Sequence, residues 1–259
     1  MKPFAFLLLF VGLLMLSGVV RMMFSPDINF LIYGILGCAA GYLTVFVFLK
    51  IEKKSWSDFG FSWDRRTPLR FLSGVGIGVI LMTVIVFSLV SLTALRIRFE
   101  PSVFDAKVLM MLLPIFPLAL MEEIGFRSYA QRELNDKYGI WVSQIVIALA
   151  FALYHILNGW TIGLAFSGPF VWAFIFGLSA IRSGGIAMPT GIHFALNILQ
   201  GLAGLKGSQA ALFKIDYPPG TPQSAMAQAD PTGVLLHMTA LLIFLILTYF
   251  YNKKIVKIK

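Results

Sequence analysis

Two adjacent glutamates, Glu122 and Glu123, interrupt the apolar run Leu118-Ala119-Leu120-Met121-Glu122-Glu123-Ile124-Gly125-Phe126-Arg127. A charge at the bilayer centre costs about 2.5–3.5 kcal/mol even on the lenient insertion scale, so a neighbouring pair calls for chemistry that uses it. Two of the chain's three histidines, His155 and His193, also fall inside apolar segments. Residues four apart share a helical face. Glu123 is therefore predicted beside Arg127, Phe151 beside His155, and His193 beside Asn197. Glu122 points about 100° away from Glu123 and has no such local partner. This asymmetry predicts a division of labour. Glu123, paired with Arg127, is structural. Glu122, facing the bundle interior, is a general base for water, and His155 holds the same water. His193 and Asn197 are two donors on one face, suited to a tetrahedral oxyanion. Base, water and oxyanion donors together describe hydrolysis of a peptide bond.

The elements that must carry these residues are membrane helices. The chain of 259 residues is 58% hydrophobic and 13% charged, against about 45–50% and about 25% for a soluble domain. The predicted fold is all-α, a polytopic transmembrane bundle of about eight helices, each near the roughly 20 residues that span hydrocarbon. The spans are Pro3–Val20, Phe30–Leu49, Phe71–Leu95, Val108–Leu134, Ile140–Leu157, Ile162–Ile181, Ile186–Leu205 and Val234–Tyr251. The first resembles a signal peptide but lacks an Ala-x-Ala site and is read as a retained helix. Cys38, in the second, is read as a small core residue. With the N-terminus inside, 15 of the 21 basic residues fall on the inner side, Arg127 counted among them, and 6 on the outer. That bias places both termini in the cytoplasm. The inner Lys50–Arg70 loop, with Trp56, Phe59, Phe61 and Trp63, is read as an interfacial topology anchor. The Lys206–Gly233 loop, with its Pro218-Pro219-Gly220-Thr221-Pro222 run, is read as irregular and external. His237 is placed at the interface. The net charge of +9 reflects this topology and does not argue for nucleic acid. No Walker A motif is present, which argues against an ATP-driven pump. Depths measured from the predicted inner helix ends disagree: about 18 Å for Glu122, about 10 Å for His193 and about 22 Å for His155. They agree only if the fifth helix begins below the membrane surface or the helices tilt.

The arrangement Glu122-Glu123-x-x-x-Arg127, Phe151-x-x-x-His155 and His193-x-x-x-Asn197 resembles the three-motif signature of the CAAX prenyl protease and bacteriocin-processing family of intramembrane proteases. It covers roughly Leu112 to Leu205. The run Phe126-Arg127-Ser128-Tyr129-Ala130-Gln131 is similar to the usual sequence after the glutamates, with Ser128 where the family commonly has Gly. The resemblance implies a helical-bundle endopeptidase whose site lies in the membrane and opens to the cytosolic side. It implies that Glu122 and His155 activate water and that His193 and Asn197 form the oxyanion site. The chain then divides into three parts. Residues 1–107 hold helices one to three, 108–205 the catalytic core, and 206–259 an external loop and the last helix. There is no His-Glu-x-x-His helix. Glu122, His155 and His193 could still supply three zinc ligands with an open fourth position. A metal-free water mechanism is the favoured reading. Two rivals stand beside protease: a proton- or ion-coupled transporter, disfavoured by the absence of a repeat, and a non-catalytic membrane scaffold or immunity protein. The expected partners are the lipid bilayer and a hydrophobic or lipidated peptide or protein. The expected location is a prokaryotic plasma membrane.

Overall fold

The computed structural model describes residues 2–100, 108, 110, 112–205 and 212–256, with side chains to 254. Lys107, Lys206, Lys257 and Lys259, counted in the charge distribution, lie outside the described residues, as do parts of the fourth span's first turns and of the 206–233 loop. Helix is the backbone state that satisfies its own polar groups in hydrocarbon, and it dominates the chain. The helices are α1 (Lys2–Arg21), α2 (Asn29–Glu52), α3 (Thr67–Leu92), α4 (Ile115–Arg127), α5 (Tyr129–Leu157), α6 (Ile162–Ser167), α7 (Pro169–Ser183), α8 (Ala187–Leu202), α9 (Gln223–Met226) and α10 (Ala229–Val256), with a 3₁₀ turn at Trp56–Phe59. The chain is an integral membrane protein with an all-α polytopic fold. Six helical stretches among the described residues are long and apolar enough to cross a membrane alone, where eight spans were expected. One cause of the difference is α8, which has 16 residues. The other is that the fourth and fifth spans form one stretch of 43 residues, Ile115–Leu157. Drawn straight, it would be about 65 Å long, twice a hydrocarbon core.

That stretch folds back on itself. Gly139 leaves the helix with φ 80° and ψ 173°, a left-handed φ that glycine adopts without steric cost. Buried contacts then join the two arms across the turn. Gln131 Nε2 donates to Gln144 Oε1 at 3.4 Å, and the Phe126 and Phe151 rings meet at 5.1 Å. The same register sets Glu122, about 17 residues before Gly139, level with His155, about 16 after it. The disagreement in depth between Glu122 and His155 therefore came from ending the fourth helix at Leu134, whereas His193 stays six residues from the start of its own helix. The fourth helix continues to Tyr138, and the fifth begins at Ile140 on the other side of Gly139. A second break, at Ser128 (φ −75°, ψ −101°), separates α4 from α5. The Ser128 hydroxyl is buried and donates to the Ile124 carbonyl, compensating the interrupted ladder.

The glutamate helix α4 sits centrally, packed by α1, α2, α5, α7 and α8, while α3 lies along α8. Small residues allow the close approaches. A Cβ on Gly125 would overlap the Phe10 ring, and one on Gly74 or Gly191 would overlap the backbone carbonyl of Met188 or Phe71. At Gly78 the obstacle is the Ile192 carbonyl oxygen at 2.6 Å. Gln144 bridges the bundle, donating to the Phe174 carbonyl at 3.0 Å and to Thr248.

At the end of the bundle holding Gly139, the predicted inner segments assemble. Lys2 pairs with Glu52 at 2.7 Å and Lys54 with Glu133 at 3.1 Å. Arg132 donates to the Ser57, Asp58 and Gly184 carbonyls. Within the 53–66 connection, Phe59 is buried against Tyr129 and Trp63 is 82% exposed, so the segment is part anchor and part core. Its Asp58 carboxyl is held below the usual range by the Ser55 backbone N–H and hydroxyl. Arg127 does not belong to this surface. It is buried in the bundle, which leaves 14 of the 15 basic residues assigned to that side. At the far end the reading of an irregular loop is corrected. Strands β1 (Arg96–Phe99) and β2 (Phe213–Asp216) pair antiparallel, Arg98 bonding Asp216. The alternation of polar and apolar residues in both segments is the period-2 signature of a strand, hidden by their length of four residues. Cys38 is half-buried and donates to the Pro117 carbonyl. His237 lies inside α10, its ring 5.7 Å from Trp172.

Candidate active site

The site forms where α4, α5, α7 and α8 converge. Glu123 has no exposed side-chain surface, and both its oxygens are engaged. Oε2 faces Arg127 Nε at 3.4 Å, one helical turn on, and Oε1 accepts from His193 Nδ1 at 2.8 Å. The pairing with Arg127 matches the helical spacing. The bond to His193, 70 residues away, had no local signature. Arg127 is buried and, among the described residues, makes no hydrogen bond. Its guanidinium instead lies against aromatic faces, with centroids at 4.3 Å for Phe151, 5.3 Å for Phe176 and 5.7 Å for Phe126. A guanidinium is weakly hydrated and stacks on rings, which suits it to such a cage.

Glu122 is less enclosed. Its side chain keeps 12% of its surface, and Oε2 has no hydrogen-bond partner among the described residues. His193 Nε2 lies 3.6 Å from Oε2, beyond direct hydrogen-bond range. His193 thus stands between the two carboxylates, bonded to one and facing the other. Its ring stacks on Phe176 at 4.6 Å with 15° between the planes. With Glu123 Oε1 as the acceptor, the hydrogen of this bond sits on His193 Nδ1.

His155 is oriented by its own helix. Its Nδ1 lies 2.8 Å from the Phe151 carbonyl. A carbonyl only accepts, so Nδ1 carries hydrogen and Nε2 presents a lone pair. Trp160, Tyr154 and Phe151 pack edge-on around the ring. Phe151 thereby serves two groups, its carbonyl fixing His155 and its ring face seating Arg127. Asn197 is one turn beyond His193 on α8, half-buried, and engaged in an interaction of its own.

Residue types alone missed the aromatic lining. Phe176 supports His193, Trp160 covers His155, and the hydroxyls of Tyr33 and Tyr154 are buried together at 3.0 Å. With 24 phenylalanines in the chain, no single ring stands out without three dimensions. The donor set was also tested for a metal. No group of three His, Cys, Asp or Glu side chains among the described residues gathers closely enough to hold an ion, and His193 Nδ1 is committed to Glu123. Among the described residues Glu122, His155 and His193 are not gathered as a three-ligand set, while the Nδ1 bond leaves His193 Nε2 open toward Glu122.

Comparison with known families gives a match to the model described as type II CAAX prenyl endopeptidase, Rce1-like, over residues 104–199. That segment contains the glutamate pair, both histidines and Asn197. No curated protein matches the chain.

Proposed function

We propose, taking residues 104–199 as a core of the CAAX prenyl endopeptidase type, that the protein hydrolyses peptide bonds within the membrane by a Glu122-activated water. The observation that carries this reading is the inequality of the two carboxylates. Glu123 is ion-paired with Arg127 and accepts a 2.8 Å hydrogen bond from His193, whereas Glu122 keeps 12% of its side-chain surface and meets only His193 Nε2, at 3.6 Å, among the described ion pairs.

In the proposed reaction a water hydrogen-bonds Glu122 and the Nε2 lone pair of His155. Its oxygen attacks the scissile carbonyl carbon while Glu122 takes one proton. The oxyanion that forms is met by His193 Nε2 and the Asn197 side-chain amide. Donation from Nε2 requires His193 to carry both ring protons. The Glu123 carboxylate at Nδ1 stabilises that imidazolium, so Glu123 acts through His193 as a positioning residue. The carbon–nitrogen bond then breaks, and Glu122 returns its proton to the departing amine. Neither zinc nor any other cofactor enters these steps. The apolar walls suit a hydrophobic or lipidated peptide in the plane of the bilayer. A plasma-membrane location with both termini cytoplasmic belongs to the same proposal.

The test compares protein termini across the proteome in cells carrying wild type and Glu122→Ala. The expected result is a set of new termini present only with wild type. An unchanged set, with Glu122→Ala still complementing a deletion phenotype, favours the scaffold reading. Cleavage by purified protein is expected to persist after exhaustive chelation, with elemental analysis confirming metal-free enzyme; activity that vanishes and returns with zinc would overturn the metal-free steps.

A further inference from the structure

We propose that a second site, separate from the glutamates, binds the phosphate of an anionic membrane lipid in the cleft between the start of α3 and the α7–α8 turn. The cleft has a volume of about 290 Å³ and is lined by Arg66, Arg70, Arg182, Ser73, Leu69 and Met188 among others. Three guanidiniums from two separate parts of the chain converge on it. Arg70 is partly neutralised by Asp64 at 3.2 Å, an exposed carboxylate held low by the Arg66 backbone amide and by Arg70. Arg66 and Arg182 make no ion pair among the described residues, leaving two cations uncompensated at one opening. Guanidiniums present forked donors that match phosphate oxygens, and Ser73 adds a hydroxyl.

The surroundings indicate a lipid rather than a free anion. Trp63, three residues before Arg66, is 82% exposed, as befits a side chain at headgroup depth. Leu69 (63%) is exposed at the cleft, and Leu72 (62%), Ile80 and Phe87 continue the same face of α3. From Leu69 to Phe87 is five helical turns, about 27 Å, which gives acyl chains an apolar track directly below the cations. Basic pockets between helices at one membrane face are the expected form of a headgroup site. A lipid seated there would tie α3 to the turn that leads into α8, the helix carrying His193 and Asn197. This inference stands whether or not the chain is a protease.

The test is thermal unfolding of the purified full chain in dodecyl maltoside with added dioleoylphosphatidylglycerol or dioleoylphosphatidylcholine. Wild type is expected to gain about 3 °C from the anionic lipid over the zwitterionic one. R66Q/R182Q is expected to lose that difference. R66K/R182K is expected to keep part of it, and K253Q/K254Q, which removes equal charge elsewhere at the same end, is expected to keep all of it. Native mass spectrometry of the same samples should show fewer retained phosphatidylglycerol adducts for folded R66Q/R182Q than for wild type. The proposal is overturned if R66Q/R182Q responds as wild type does, if K253Q/K254Q loses the effect equally, or if millimolar inorganic phosphate reproduces it.

Discussion

Glu122 and Glu123 are neighbours in the chain and opposites in what surrounds them. Removing the Glu123 carboxylate strands Arg127 as a buried cation, with its aromatic cage and the more distant Glu122 carboxylate as support. Breaking a buried pair from one side costs about 3–5 kcal/mol. Glu123→Ala should therefore lower the unfolding midpoint sharply and abolish cleavage as a consequence. Glu122→Gln leaves Arg127 and His193 still paired with Glu123. It should leave the midpoint within about 1 °C while reducing cleavage about 10²–10⁴-fold, the range of a general base. Equal midpoint losses for the two variants would contradict the division of roles. At this scale the sequence was informative where chemistry is local. Helical spacing predicted Glu123 with Arg127, and the pair is present at 3.4 Å. It could not reveal the bond from His193 to Glu123, because no periodicity links α4 to α8. Nor could it show that Arg127 is seated on rings.

Among the elements, the α4–α5 hairpin and the glycine contacts set the geometry. The Gly125 and Gly191 approaches differ in what stands in the way. At Gly125 it is the Phe10 ring, and at Gly191 it is the Phe71 backbone carbonyl. Overpacking costs about 1–3 kcal/mol. Gly125→Ala should lose stability by about that amount, and Phe10→Leu should recover part of it in the double variant, read as a coupling in a double-mutant cycle. Gly191→Ala should lose a similar amount, and truncating Phe71 should recover none of it. Additive behaviour at the Gly125–Phe10 pair would show that the contact is not tight. The long spans were legible because twenty apolar residues have few alternatives in hydrocarbon. The breaks were not. Ser128 carries no helix-breaking signature, and its buried hydroxyl makes the interruption tolerable. Gly139 was legible as a boundary, but the register across it required the paired contacts of Gln131 with Gln144 and Phe126 with Phe151. The β1–β2 ladder escaped because four alternating residues are too few to distinguish from a loop.

The whole molecule is polarised. Lys2, the 53–66 connection, the Gly139 turn and the 183–186 turn share one end, and the β1–β2 ladder occupies the other. With Cys38 replaced by serine, single cysteines at Trp63 and Lys253 should react with a membrane-impermeant maleimide from the same side, and one at Arg98 from the opposite side. Labelling of positions 63 and 253 from different sides would refute the topology. The hairpin has a further consequence at this scale. Because Glu122 and His155 stand almost equal distances from Gly139, the two arms behave as matched rulers. A residue gained or lost in one arm advances its partner by about 1.5 Å and swings it through about 100°. Lengthening both arms alike restores the level but not the azimuth, until nearly a full turn has been added. The level of Glu122 against His155 thus rests on the number of residues in each arm as well as on the buried contacts that join the arms.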